Sequence, residues 1–264
     1  MIPAKIILAG EYTILDKSQL IGVPFSKYYG QWKQNNSIDQ RLVTLCEFLE
    51  ENHSHTIDVI RLKKDILSGF HFESNIPEGY GCGSSGAVVA GIAQQYLKRD
   101  LDDPIKTFSE IEAFFHGTSS GLDPFISYLK QPVHIKDGKI EALNKHAIDL
   151  SHFYLFDSGH SRSTKNLVEQ FKLLTTTIKS EIIAKTNHLV DSLISKNKVV
   201  DNIKALSRIQ LNQMKFAIPK NIQLLWESSY NNKRYFKLCG AGGGGFFLVY
   251  SEEEINEPHY IPMI

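Results

Sequence analysis

The segment Pro77-Glu78-Gly79-Tyr80-Gly81-Cys82-Gly83-Ser84-Ser85-Gly86, with a helix-like run over residues 87–98 directly behind it, limits what this chain can fold into more than any other stretch. Glycines let backbone turn sharply and approach a neighbour closely. The first N–H groups of a helix have no internal acceptor, and the helix dipole favours an anion there. A small-residue turn with two hydroxyls feeding a helix start therefore makes a site for a phosphate chain. The plainer reading of the same residues is a tight turn before a helix. Gly81 to Gly86 also spell G-x-G-x-x-G, but a dinucleotide-binding unit needs that turn directly after a strand, inside a βαβ repeat. Here residues 75–78 separate strand from turn, and no alternating βαβ pattern follows. A Walker loop needs Lys-Ser/Thr after its last glycine, where Ala87-Val88 stands.

A chain of 264 residues is long enough for one large domain or two modest ones. Lys plus Arg (29) balance Asp plus Glu (29), so charge gives no reason to expect nucleic acid or an anionic membrane as partner. The three cysteines, Cys46, Cys82 and Cys239, form no C-x-x-C pair. Neither a disulfide framework nor a structural zinc site is expected, and a reducing cytoplasm fits. The opening apolar run, residues 6–9, is too short for a signal peptide core, and no other stretch is apolar enough to span a bilayer.

Apolar periodicity predicts helices over residues 42–49, 87–98, 104–115, 164–195 and 203–216, with Pro104 in a first turn. Strands are expected at 6–8, 12–15, 70–73, 133–135, 153–156, 235–239 and 246–250, and Asp137-Gly138 reads as a turn. The shift from mixed strands to long helices puts a boundary near residue 150, hence domains 1–150 and 151–264.

Two further constellations carry chemistry. Residues 110–123 hold a helix ending in Glu112-Ala113-Phe114-Phe115-His116, a small-residue turn, and Asp123. Residues 117–121 match G-x-S-x-G, but a hydrolase elbow follows a strand, and a helix precedes this one. What remains is a pair of carboxylates suited to one metal-binding and one proton-accepting role. As an isolated pair they read first as a solvated helix residue and a helix cap. The second constellation is Gly240-Ala241-Gly242-Gly243-Gly244-Gly245 between two strand-like segments. Such a run is costly in chain entropy, so a structural need is expected: an anion nest, or backbone packed against ligand.

Together with Pro3-Ala4-Lys5-Ile6-Ile7-Leu8-Ala9-Gly10-Glu11-Tyr12 at the start, these segments resemble, in order, the three motifs of the GHMP small-molecule kinases. Within that superfamily the chain is most similar to the mevalonate kinase family. Glu112-x-x-x-His116-Gly117-x-x-x-Gly121-Leu122-Asp123, Arg162-Ser163-Thr164-Lys165-Asn166-Leu167-Val168 and Leu211-Asn212-Gln213-Met214 carry that likeness. The chain departs from the pattern at Ala4 (usually glycine), Tyr12 (usually histidine), Gly86 (usually alanine) and Ser119 (usually proline). The Tyr12 change bears on the acceptor more than on the chemistry.

The resemblance implies a two-lobed α+β fold. An N-terminal ribosomal-protein-S5-like domain and a C-terminal ferredoxin-like domain would flank the active site. It implies ATP-dependent phosphorylation of mevalonate, a step toward isoprenoid precursors, with Mg²⁺ as cofactor. Asp123 would be the base and Lys5 its cationic partner. Ser85 and Glu112 would hold the metal. Gly81, Gly83, Ser84, Ser85, Gly86, Gly240, Ala241 and Gly242 would bind the nucleotide. Glu11, Tyr12 and Thr164 would orient the acceptor. The partner is thus a small molecule, and the likeness leaves room for a homodimer. Phosphomevalonate stays open as acceptor, with Lys17, Lys27, Arg162 and Lys165 available as cations, as does a sugar. So does a non-catalytic nucleotide-binding regulator, although Lys5, Glu112 and Asp123 are all present.

Overall fold

Two long strands organise the chain. β1 (Ile2–Ala9) is buried along its whole length, and β2 (Leu20–Gln34) passes from a buried first half to a partly exposed end. In the computed structural model, which describes residues 1–35, 37–161 and 167–264, each of these strands carries the chain from one compact unit into another. Unit 1 comprises Met1–Lys5, Pro24–Pro77 and Gly83–Lys130; unit 2 comprises Ile6–Val23, Glu78–Cys82 and Gln131–Ile264. Both are discontinuous, and neither coincides with residues 1–150 or 151–264.

In unit 1, the later part of β2 pairs antiparallel with β3 (Phe70–Ser74), in a register running from Gly30 opposite Ser74 to Gln34 opposite Phe70. Five helices complete the unit: α1 (Gln40–Asn52), α2 (Val59–Leu67), α3 (Ser84–Tyr96), α4 (Pro104–His116) and α5 (Leu122–Leu129). Aspartates start three of them by accepting from orphan N–H groups. Asp39 takes Arg41 N, Asp58 takes Arg61 N, and Asp103 takes Lys106 N ahead of Pro104. α3 buries Ala87, Val89, Ala90, Ile92 and Ala93, so it is the unit's central helix. Trp32 on β2 donates its indole N–H to the Gly91 carbonyl of α3 at 3.0 Å, tying that helix to the sheet.

In unit 2, the start of β2 pairs with β4 (Val133–Lys136), which turns through Asp137-Gly138 into β5 (Lys139–Ala142). Both turn residues have positive φ, 50° and 73°, as a tight hairpin of matching twist requires. A four-stranded antiparallel sheet follows, in the order β7 (Arg234–Leu238), β8 (Phe246–Ser251), β6 (Phe153–Asp157), β9 (Tyr260–Pro262). Its helices are α6 (Leu167–Lys172), α7 (Thr176–Ser195), α8 (Val199–Gln213) and α9 (Lys220–Ser229). Trp226 of α9 is fully buried against Phe236 and Phe247, and its indole N–H donates to Ser207 Oγ on α8.

Three expectations from periodicity change. Residues 12–15, read as strand, lie in a 3₁₀ turn (Thr13–Asp16), closed by Ile14 N donating to Gly10 O and by Lys17 at φ 63°. The helical pattern over 164–195 splits into α6 and α7, because Thr175 leaves the helical conformation and its hydroxyl accepts from Ile178 N. The helix expected at 203–216 runs instead from Val199 to Gln213. No helix among the described residues is long and apolar enough to cross a membrane.

Candidate active site

Unit 1 assembles the catalytic candidates. Gly83, at φ 75°, precedes α3, and the helix ladder opens with Ala87 N donating to Gly83 O at 2.9 Å. The N–H groups of Ser84, Ser85 and Gly86 therefore have no acceptor within the helix, which is the geometry an anion needs. Lys5, on β1 and only 4% exposed, sets its Nζ 2.9 Å from Asp123 Oδ1 in the first turn of α5. Asp123 keeps 31% of its side chain accessible, so the pair is buried on the lysine side and open on the carboxylate side.

The serine turn lies directly against this pair. A Cβ built on Gly83 would stand 3.0 Å from Lys5 Cγ and 3.4 Å from Asp123 Oδ2. On Gly86 it would stand 2.8 Å from Pro124 N and 2.9 Å from Asp123 Cβ. The glycine at 86 therefore sets how closely α3 and α5 approach, and with it the position of Asp123. Gly86→Ala gains at most about 1 kcal/mol of helix propensity. The overlap with α5 backbone costs about 1–3 kcal/mol. Both melting temperature and kcat of Gly86→Ala are expected to fall, because relief of the clash displaces Asp123. A variant with unchanged kcat would show that the close approach does not set the carboxylate.

Glu112, in the last turn of α4, is 4% exposed. Ser85 Oγ donates to its Oε1 at 2.9 Å, and Ser119 Oγ donates to its Oε2 at 2.5 Å. With the Ser85 proton directed at Glu112, Ser85 Oγ can accept from the His116 ring, whose Nε2 is 3.1 Å away. Burial, and then the neighbouring Asp123 charge, push the Glu112 carboxyl above the usual carboxylate range; the two serine bonds and Lys5 oppose them. A buried acid in this position is relieved by a cation. Among the described residues no three His, Cys, Asp or Glu side chains gather at one point. Mg²⁺ does not need such a cage: it takes one or two carboxylates, with substrate phosphates and water completing an oxygen shell. The Ser85 and Glu112 oxygens fit that donor set.

The remaining candidates lie in unit 2. Glu11 forms an ion pair with Lys237, whose side chain is fully buried. Tyr12 is 5% exposed, stacks on Phe171 with centroids 4.9 Å apart, and donates its hydroxyl to the Ala241 carbonyl. Gly240 and Gly242 have positive φ, as does Gly81. Within the glycine run, Gly243 N donates to Ala217 O and Gly245 N donates to His160 O, both at 2.7 Å. Two of its N–H groups thus brace the turn instead of facing outward. Thr164, with Arg162 and Lys165, lies outside the described residues.

Sequence reasoning did not assign His116, Ser119 or Lys237. Lys237 carried a signal, a lysine inside the otherwise apolar strand Tyr235-Phe236-Lys237-Leu238. Ser119 stood out only as a serine where the family usually has proline; its partner Glu112 was not legible, since only the path of the turn after α4 brings the two together.

Residues 42–131 match the GHMP kinases N terminal domain. Among curated proteins, the mevalonate kinase of Thermococcus gammatolerans is 23% identical, over 97% of this chain and 89% of its own length. That of Pyrococcus abyssi is 26% identical, over 72% and 62%. Among solved structures, Methanococcus jannaschii mevalonate kinase superposes with a TM-score of 0.66 at 19% identity, covering 95% of this chain and 89% of that one. Streptococcus pneumoniae phosphomevalonate kinase, in complex with phosphomevalonate and AMPPNP, gives 0.67 at 16% identity, covering 96% and 91%. Residues 42–131 thus match a GHMP kinase N-terminal domain, and the chain as a whole has the fold of the GHMP kinases.

Proposed function

We propose that this chain is a mevalonate kinase, moving the γ-phosphoryl group of ATP to the primary hydroxyl of mevalonate. The observation that carries the reading is the contact of two pairs in unit 1, Lys5 with Asp123 and Ser85 with Glu112. Mevalonate is preferred because the curated relatives above bear that enzyme's name.

Asp123 accepts the hydroxyl proton as the oxygen–phosphorus bond forms and the bond from the γ-phosphorus to the bridging oxygen breaks, releasing ADP. Lys5 holds the Asp123 carboxylate through the 2.9 Å ion pair and offsets charge developing on the transferring oxygens. The α3 N-terminus, with Ser84, Ser85 and Gly86, cradles phosphate. Ser85 and Glu112 would hold Mg²⁺, which when bound would neutralise charge on the phosphate chain. Glu112 thereby gains the counter-charge that its burial demands. This chemistry acts on a small-molecule acceptor, and the cytoplasm is its proposed setting.

Phosphomevalonate is the second reading, because a phosphomevalonate kinase shares this fold as fully as the mevalonate kinases do and the fold does not separate the two acceptors. ADP release measured with mevalonate, phosphomevalonate and simple sugars separates the two. The highest kcat/KM is expected with mevalonate; a preference for phosphomevalonate transfers the assignment to the second reading. No turnover with any acceptor, together with a melting temperature raised by ATP, would mark a nucleotide-binding regulator.

A further inference from the structure

The carboxylate of Glu112 is gripped from two sides. Ser85, at the start of α3, donates to Oε1, and Ser119, in the turn between α4 and α5, donates to Oε2. Ser119 is itself held in place. The Gly121 N–H donates to its Oγ at 2.9 Å, and Ser109 Oγ on α4 donates to its carbonyl at 2.6 Å. The turn lies on α4 so closely that a Cβ at Gly121 would stand 2.2 Å from the Ile105 carbonyl oxygen. A serine oxygen that already accepts from a backbone N–H has one proton left to direct. Here that proton points at Oε2.

We infer that Ser119 is a positioning residue for the divalent cation, occupying Glu112 Oε2 so that Oε1 stays turned to Ser85 as the metal-facing oxygen. The inference rests on the reading of Ser85 and Glu112 as the metal-holding pair. A glutamate has three side-chain torsions, and the last is only loosely confined. Burial excludes solvent that could replace a lost donor, so the Ser119 hydroxyl decides which oxygen faces the metal. Ser119 touches neither reacting atom; it acts through Glu112. Hydrogen-bond partners standing behind metal ligands typically change metal affinity by about 10–100-fold.

The test uses Mn²⁺ as a spin probe, with the protein saturated by a non-hydrolysable ATP analogue, in wild type, Ser119→Ala, Ser119→Thr and Glu112→Gln. Circular dichroism checks that each variant is folded. Ser119→Ala is expected to weaken Mn²⁺ binding about 10–100-fold, with Ser119→Thr restoring most of it because the hydroxyl returns. The Mg²⁺ concentration for half-maximal turnover should rise in parallel, which a merely structural loss would not produce. If Glu112→Gln weakens Mn²⁺ binding and Ser119→Ala does not, the Ser119 assignment is overturned while the metal-site reading stands. If Glu112→Gln leaves Mn²⁺ binding unchanged, the metal-site reading itself fails and takes this inference with it.

Discussion

Asp123→Asn is expected to lower kcat by about 10²–10⁴-fold, the usual scale for removing a general base. The substitution keeps the shape of the side chain but removes the negative charge and the capacity to take a proton. Lys5 Nζ, 2.9 Å away, keeps a polar neighbour in the amide oxygen. Nearly a third of Asp123 is accessible, but Lys5 is only 5% exposed and loses its counter-charge, so the variant should also be less stable than wild type, and kcat is to be read at a temperature where it is folded. The KM for ATP should change little, because the phosphate cradle proposed at the start of α3 uses Ser84, Ser85, Gly86 and backbone and not Asp123. Turnover like that of wild type would remove Asp123 from the chemistry.

The second large effect is one of stability. Lys237 and Glu11 form an ion pair at 0% and 7% side-chain exposure. Removing one member of a buried pair leaves the other charge uncompensated, at a cost of about 3–5 kcal/mol. Lys237→Met is therefore expected to lower the urea midpoint of unfolding by a corresponding amount. Glu11→Leu combined with Lys237→Met should recover most of the loss, because no charge is then stranded, and buried pairs replaced by apolar groups are often neutral. If Lys237→Met unfolds at the wild-type midpoint, the pair does not hold unit 2 together. If the double variant is no better than the single one, the loss comes from packing and not from charge.

The legible parts of the sequence were those whose chemistry is local. The serine turn announced α3 because its glycines and hydroxyls sit next to an apolar helical stripe. Pro104 announced α4 by marking its first turn. The Asp137-Gly138 pair marked the turn after β4, while β5 behind it, exposed along its length, carried no apolar signal. Contacts distant in sequence were not written in any period. Lys5 and Asp123 were paired by resemblance to a family, not by spacing, and the structure brings them to 2.9 Å. The grip of Ser119 on Glu112 depends on a turn packed over α4, which no propensity encodes. Residues 12–15, read as a second strand after the Gly10-Glu11 turn, form a 3₁₀ turn instead, closed by Ile14 N donating to Gly10 O. The two units escaped composition altogether, since each is stitched from three segments and the long strands β1 and β2 belong to both.

The central claim is transfer of phosphate to the primary alcohol of mevalonate. Its most direct test is a ³¹P NMR record of the purified chain incubated with ATP, Mg²⁺ and mevalonate. A new phosphomonoester resonance, coupled to two methylene protons and growing in step with ADP, is the expected result. Unchanged ATP, or ADP accompanied only by inorganic phosphate, would contradict it.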